Sequence, residues 1–275
     1  MSIPNKTEWT LIFSFFGITI GYVPSHKSYY INHWRIRPVF PLSVLLLWFS
    51  SIILAEKLLV SSYILKIIME AVMFMGVCSY ISIIFQGPCF IPYYYPHTAS
   101  SYESIPYDHL SGIITTSEQR DFVADSHLPN FCDYFNCVSR IVLYPDHYCQ
   151  WAESFIGLRN HKAFVLFLIY STTYTLMLFL SSLFRLIHSK TTIAILTLAF
   201  VSLVFLTFCL IQLIDAISGI RKKTLKTQRL LNRKSGKLNS FNLVFGSNLL
   251  TAPVPVSPYH SLNDIQLFEL MVQLS

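Results

Sequence analysis

Apolar residues along this chain gather in long unbroken blocks rather than recurring as a stripe every three to four positions or alternating with polar ones. Blocks of about 20 apolar residues are what roughly 30 Å of hydrocarbon demands of a helix rising 1.5 Å per residue. Ala163 to Phe184 and Thr191 to Ile214 are such blocks and contain no charge. Ile67 to Phe85 is interrupted only by Glu70, and Val39 to Ala55 runs into Glu56 and Lys57, whose long side chains can reach the membrane surface. The pattern predicts four core transmembrane helices in an all-α membrane protein. Trp9 to Pro24 is shorter and holds Gly17 and Gly21. For this stretch a thin fifth span, a re-entrant piece and an interfacial helix are all open. A cleaved signal peptide fits poorly, because Lys6 is accompanied by Glu8 and no small-residue cleavage pattern stands near Pro24.

Between the second and third spans lies a segment of different character, Gln86 to Lys162, rich in Pro, Tyr, His and acids. Its first part, around Pro92 to Pro96 and Thr98 to Thr116, has no apolar periodicity and reads as an irregular connector. The implied organisation is an N-terminal segment (1–38), two spans (39–85), the polar segment (86–162), two spans (163–216) and a C-terminal tail (217–275).

Composition agrees with this division, since 53% of residues are apolar and 12% charged, against roughly a quarter charged in soluble domains. The charge that exists is informative. Arg221, Lys222, Lys223, Lys226, Arg229, Arg233, Lys234 and Lys237 follow the last span with no acid among them. Such an excess marks the cytoplasmic side and suits contact with anionic lipid headgroups, and nothing else supports a nucleic-acid partner. Crossing back through two spans puts 86–162 on the same side. Thiols in a reducing cytosol are free, ligating or reactive, which applies to Cys89, Cys132, Cys137 and Cys149.

The chemistry lies in the second half of the polar segment. From Asn130 the chain reads NFCDYFNCVSRIVLYPDHYCQWAESFIGLRNHKAFVLFLIY, with Asp146, His147 and Cys149 side by side. A cysteine is a good nucleophile as thiolate, and an imidazole oriented by a carboxylate is a common means of producing one. Read alone, the adjacency leaves open a partly exposed Cys beside ordinary polar neighbours.

The surrounding residues resemble the signature of the DHHC family of protein S-acyltransferases: Asp-His-His-Cys, a Pro-Trp, a Gly-x-x-Asn and a Phe-rich entry into the third transmembrane helix. Arg140, Val142, Leu143, Asp146, His147, Cys149, Trp151, Gly157, Asn160, Lys162, Phe164, Phe167, Leu168 and Tyr170 match without a gap, and Pro129 falls where the family has Lys-Pro. Tyr148 replaces the second His, giving a DHYC variant. The tail resembles the family more weakly, in Gly236 through Val244-Phe245-Gly246; Thr224 with Thr227, Asn239 and Gln86-Gly87-Pro88 only echo family motifs.

The resemblance implies an enzyme: a protein-cysteine S-palmitoyltransferase with Cys149 as acyl carrier, His147 as base and Asp146 orienting it. It also implies Trp151 near the thioester at the membrane surface and Tyr174 at the deep end of an acyl cavity. The substrates would be long-chain acyl-CoA and membrane-associated proteins, and no cofactor is implied. Family members fold this segment around two zinc ions, yet the matching ligand positions here are Phe135, Val138, Ile141, Tyr148 and Phe155. No metal is expected on that ground, and a small apolar core in its place is the alternative. The default location is endomembrane, endoplasmic reticulum or Golgi, with active site and tail cytosolic; an accessory subunit is not legible. Two other readings are a degenerate DHHC-like protein acting as a binding or regulatory partner, and a channel or transporter. The latter calls for polar residues in facing spans, which the clearest spans lack.

Overall fold

In the computed structural model of the protein the described residues are 10–15, 18–23, 27–32, 34–59, 62–90, 132–135, 140–188, 192–231, 240–246, 248–262, 266–267 and 270–271. The connector around Pro92 to Thr116, and Pro129, Cys137, Val138, Gly236 and Asn239, lie outside them.

Four helices are long and apolar enough to cross a membrane: α1 (Val39–Leu58), α2 (Tyr63–Gln86), α3 (His161–His188) and the first 28 residues of α4 (Ile193–Leu231), Ile193–Ile220. These are the four predicted spans, each extended by a turn or less beyond its apolar block at most ends. Pro38 and Pro41 stand at the start of α1, where a helix tolerates residues lacking an N–H. Gly87 ends α2 with φ of 61°, a left-handed conformation that suits glycine. The helix α3 packs against both α2 and α4, while α1 contacts α2 and buries only Pro41, Ile52 and Ala55. A side chain on Gly76 of α2 would overlap the Trp48 indole of α1, so the glycine is what lets these helices meet there.

The described residues of the N-terminal stretch include no helix before α1. Thr10–Phe15 (β1), Ile18–Val23 (β2), Ser28–Ile31 (β3) and Trp34–Arg35 (β4) form a four-stranded antiparallel meander, with Thr10 opposite Tyr22 and Phe15 opposite Ile18. The residues are β-branched and aromatic, among them Ile12, Phe13, Ile18, Thr19, Ile20 and Tyr22, which favour a pleated surface, and the run is too short for a span. A fifth helix over 9–24 is therefore replaced by strands across its described residues.

The polar segment is also more regular than its sequence suggests. Cys132–Phe135 (β5) pairs with Arg140–Leu143 (β6), and His147–Cys149 (β7) with Ser154–Ile156 (β8), both antiparallel. One core cluster joins this segment to the membrane helices: Trp34, Tyr80, Ile83, Ala152, Ile156, Ala163, Phe164, Val165, Val244 and Phe245 belong to it. A second lies deeper among the spans, with Ile52, Ala55, Met69, Tyr174, Leu178 and Ile195. After α4 a short helix α5 (Ser240–Phe245) inserts Val244 and Phe245 into the first cluster.

Candidate active site

The hairpin β7–β8 sets the geometry. Its register puts His147 opposite Ile156, Tyr148 opposite Phe155 and Cys149 opposite Ser154. Side chains two apart on a strand share a face, so His147 and Cys149 point one way and Tyr148 the other. His147 lies edge-on to Phe164 of α3 at 5.0 Å, and Cys149, half-buried, packs on the cluster at the membrane junction. Tyr148 instead joins Phe90, Val142 and Phe155, meeting the Phe155 ring at 5.0 Å and donating its hydroxyl to Glu153 Oε2 at 2.7 Å. The residue that departs from the family's second His is thus on the face away from the thiol.

Two sharp bends aim the hairpin. Tyr144 (φ 45°) precedes it and Glu153 (φ 47°) closes it, both in the left-handed region that non-glycine residues seldom occupy. The Glu153 N–H donates to Gln150 O at 3.2 Å. Two distant aromatic residues hold the turn from outside: Tyr80 of α2 donates to Trp151 O at 2.6 Å, and Trp34 of β4 donates Nε1 to Ala152 O at 3.2 Å. Sequence spacing offered no sign of either, since they are 71 and 118 residues away.

Asp146, His147 and Cys149 come together as the sequence anticipates. The backbone N–H of Asp146 donates to Ile156 O at 2.7 Å, and its Oδ2 lies 2.9 Å from His147 Nδ1. His147 and Cys149 share one face of β7, and with Nδ1 committed to Asp146 the nitrogen left for the sulfur is Nε2. Burial pulls the imidazole pKa down, but hydrogen bonds and charge from Asp146 and Cys149 outweigh it and raise the value to about 9. The ring therefore holds its proton at neutral pH, beside the Asp146 carboxylate and the Cys149 sulfur. Helix α4 passes close by: a Cβ on Gly219 would lie 3.6 Å from Asp146 Oδ1.

Trp151 is half-exposed on the turn after Cys149, with edge contacts to Phe40 of α1 at 6.1 Å and Phe208 of α4 at 6.5 Å. Tyr174 is elsewhere, fully buried among the spans, ten residues and so roughly 15 Å along α3 from Phe164. Its hydroxyl is 2.9 Å from Ser51 Oγ of α1. Trp48 stacks on Tyr174 at 5.8 Å and on Phe167 at 5.7 Å, which makes Ser51 and Trp48 partners that sequence reasoning did not single out.

Asn160 ties the hairpin to the membrane. Fully buried, it accepts from the Gly157 N–H at 2.8 Å and donates Nδ2 to Phe155 O at 2.8 Å and Ile83 O at 3.2 Å. A side chain at Gly157 would come within 2.7 Å of Pro88 O, so this close approach requires glycine.

Three positions where the family carries zinc ligands, Ile141, Tyr148 and Phe155, are described, and their side chains offer zinc no N or S donor. Ile141 packs with Cys89, Cys132, Leu143, Leu158, Leu267 and Met271, and Tyr148 and Phe155 pack with Phe90 and Val142. Among the described residues no three His, Cys, Asp or Glu side chains converge as a metal set, whereas zinc takes four N or S donors in a tetrahedron.

Comparison with known proteins points to one family. The DHHC palmitoyltransferase family matches residues 118–224. The chain is similar to palmitoyltransferase pfa3 of Emericella nidulans, 44% identical over 46 residues, covering 17% of this chain and 9% of that protein. It is similar to palmitoyltransferase AKR1 of Debaryomyces hansenii, 27% identical over 136 residues, 48% of this chain and 16% of that one. Palmitoyltransferase ZDHHC2 of Mus musculus is 38% identical over 48 residues, 18% of this chain and 13% of the relative. The chain thus spans less than a fifth of the length of each of these relatives. The segment carrying Asp146, His147 and Cys149, with the two helices that follow it, is a DHHC palmitoyltransferase-family domain.

Proposed function

We propose that the protein is a protein S-acyltransferase that moves a long-chain acyl group, of about palmitoyl length, from acyl-CoA through a Cys149 thioester to cysteines of membrane-associated proteins. The observation that carries this reading is the His147 imidazole, held between Asp146 and Cys149 on the inner face of the β7–β8 hairpin.

The Cys149 thiolate attacks the thioester carbonyl, the C–S bond to CoA breaks, and the departing CoA thiolate takes the proton held on His147. Loss of that proton leaves the imidazole neutral and able to take the proton of the second thiol. The incoming protein thiol gives its proton to His147, its sulfur attacks acyl-Cys149, and the thiolate and imidazolium are restored. One thioester replaces another, so no nucleotide hydrolysis is needed. Asp146 keeps Nδ1 protonated and directs Nε2 at the sulfur, the role carboxylates have in such triads.

The acyl chain would run from Trp151 at the membrane surface toward the Trp48, Phe167 and Tyr174 rings, with Tyr174 and Ser51 closing the far end. The segment folds without zinc, its apolar clusters taking the place of the metal layers. The basic run from Arg221 to Lys237 supports a cytosolic tail and active site.

The test is transfer. Purified protein in lipid is incubated with palmitoyl-CoA carrying a terminal alkyne and with a lipid-anchored peptide bearing one cysteine near its anchor. Alkyne on the peptide that depends on Cys149 and His147 is the expected result. A protein that binds acyl-CoA but never labels the peptide is a DHHC-like binding partner and not a transferase.

A further inference from the structure

The C-terminal tail folds back on the membrane helices in an unusual way. After Gly246 (φ 80°) comes a single 3-10 turn, Leu249–Thr251, and then the uncharged stretch Ala252 to Val256, which includes Pro253 and Pro255. Three helix side chains grasp alternate carbonyls of this strap. Lys162 donates to Thr251 O, Tyr170 to Pro253 O and Gln86 to Pro255 O, each at 2.7 Å.

Four N–H groups of the strap find acceptors within it or on Asn248. The N–H of Leu250 donates to Asn248 Oδ1 at 3.0 Å, that of Thr251 to Asn248 O at 3.2 Å, that of Val254 to Thr251 O at 3.1 Å and that of Val256 to Val254 O at 2.8 Å. Pro253 and Pro255 have no N–H to satisfy.

The outward side of the strap is apolar: Leu250 is 86% exposed, Val254 40% and Val256 44%. Its depth is set by Tyr170, nine residues and roughly 13 Å into α3, with a side chain that leans back toward the helix N-terminus. The strap is therefore level with the first turns of the apolar span. Ile169 of α3 and Phe85 of α2 are exposed apolar residues at comparable positions along these helices.

We propose that Leu249 to Val256 is a membrane-facing strap, with Leu250, Val254 and Val256 seated in lipid. It fixes the tail against the bilayer on the side of the molecule that carries the Cys149 hairpin. The proposal depends on the spans and not on the acyl-transfer reading.

A photo-crosslinking amino acid reads lipid contact directly. The full chain is prepared in phosphatidylcholine nanodiscs with p-benzoylphenylalanine in place of Leu250, Val254 or, as a water-facing control, the exposed Ser261. Samples that elute as wild type on size exclusion are irradiated, and phospholipid adducts are quantified by mass spectrometry. Three separate positions guard against one variant failing to fold. Adducts several-fold more abundant at 250 and 254 than at 261 are expected. Adduct levels equal to the control, or crosslinks to protein in place of lipid, would overturn the proposal.

Discussion

Replacing Asn160 by alanine removes three hydrogen bonds at once and leaves their partners buried. The Gly157 N–H loses its acceptor, and Ile83 O, among the last four carbonyls of α2 and so without a partner inside the helix, loses its donor. Phe155 O loses its 2.8 Å contact and retains the longer one from Ser154 Oγ at 3.3 Å. At about 1 kcal/mol net per bond, with a further penalty for buried groups left unpaired, the loss is roughly 3–5 kcal/mol. For a chain of this size, about 2–4 °C per kcal/mol converts that into a fall of roughly 10 °C in melting temperature. Asn160→Asp is expected to be at least as damaging. It keeps an acceptor for Gly157 but turns the donor that faced two carbonyls into an anionic oxygen. The assay is the fraction surviving size exclusion after heating in detergent, run alongside acyl labelling of Cys149. If both variants melt within about 2 °C of wild type, under 1 kcal/mol by the same conversion, Asn160 does not tie the hairpin to the helices and the reasoning fails.

Asp146→Asn removes a charge and an acceptor that raise the His147 pKa, so the value should fall from about 9, as followed by NMR of ring-labelled histidine; no change would contradict the pairing. The sign follows for stability too. A raised pKa stabilises the fold fully below the unfolded value of about 6.5 and ceases to do so as pH rises through about 9, and the variant narrows that window. Tyr174→Ala empties the far end of the proposed acyl path and is expected to shift preference toward acyl-CoAs longer than palmitoyl in competition assays. An unaltered chain-length profile counts against a gauge there. A zinc chelator is expected to leave the melting temperature unmoved, whereas Leu267→Ala, made in a fully buried residue that packs on Cys89, Cys132 and Ile141, should cost about 2–5 kcal/mol. Melting on chelation would show that a metal holds the segment.

The four spans were legible because a bilayer imposes a length and an apolarity that few other structures need. The grouping of Asp146, His147 and Cys149 was legible because the three stand within four residues of one another. The N-terminal meander was not, since a short apolar run such as Thr10 to Val23 suits a strand or a helix piece equally until its pairing partner is known. The hairpins of the polar segment were hidden for a different reason. Their bends fall on Tyr144 and Glu153, which carry none of the glycine or asparagine signal that usually marks a left-handed turn. Support from afar was illegible in principle. Trp34, Tyr80, Ser51 and the carbonyls of the tail strap meet the site only through tertiary folding. The apolar character of Ile141, Tyr148 and Phe155 could be read from sequence as the loss of zinc ligands, but the tail residues Leu267 and Met271 that pack with Ile141 could not.

The most direct measurement is acyl-enzyme formation. Wild type and Cys149→Ser are incubated with alkyne-tagged palmitoyl-CoA, and each is then treated with neutral hydroxylamine, which cleaves thioesters. Label present on wild type, absent from Cys149→Ser and released by hydroxylamine is the expected result. Equal labelling of the two proteins, or a label that hydroxylamine leaves in place, would contradict a Cys149 thioester.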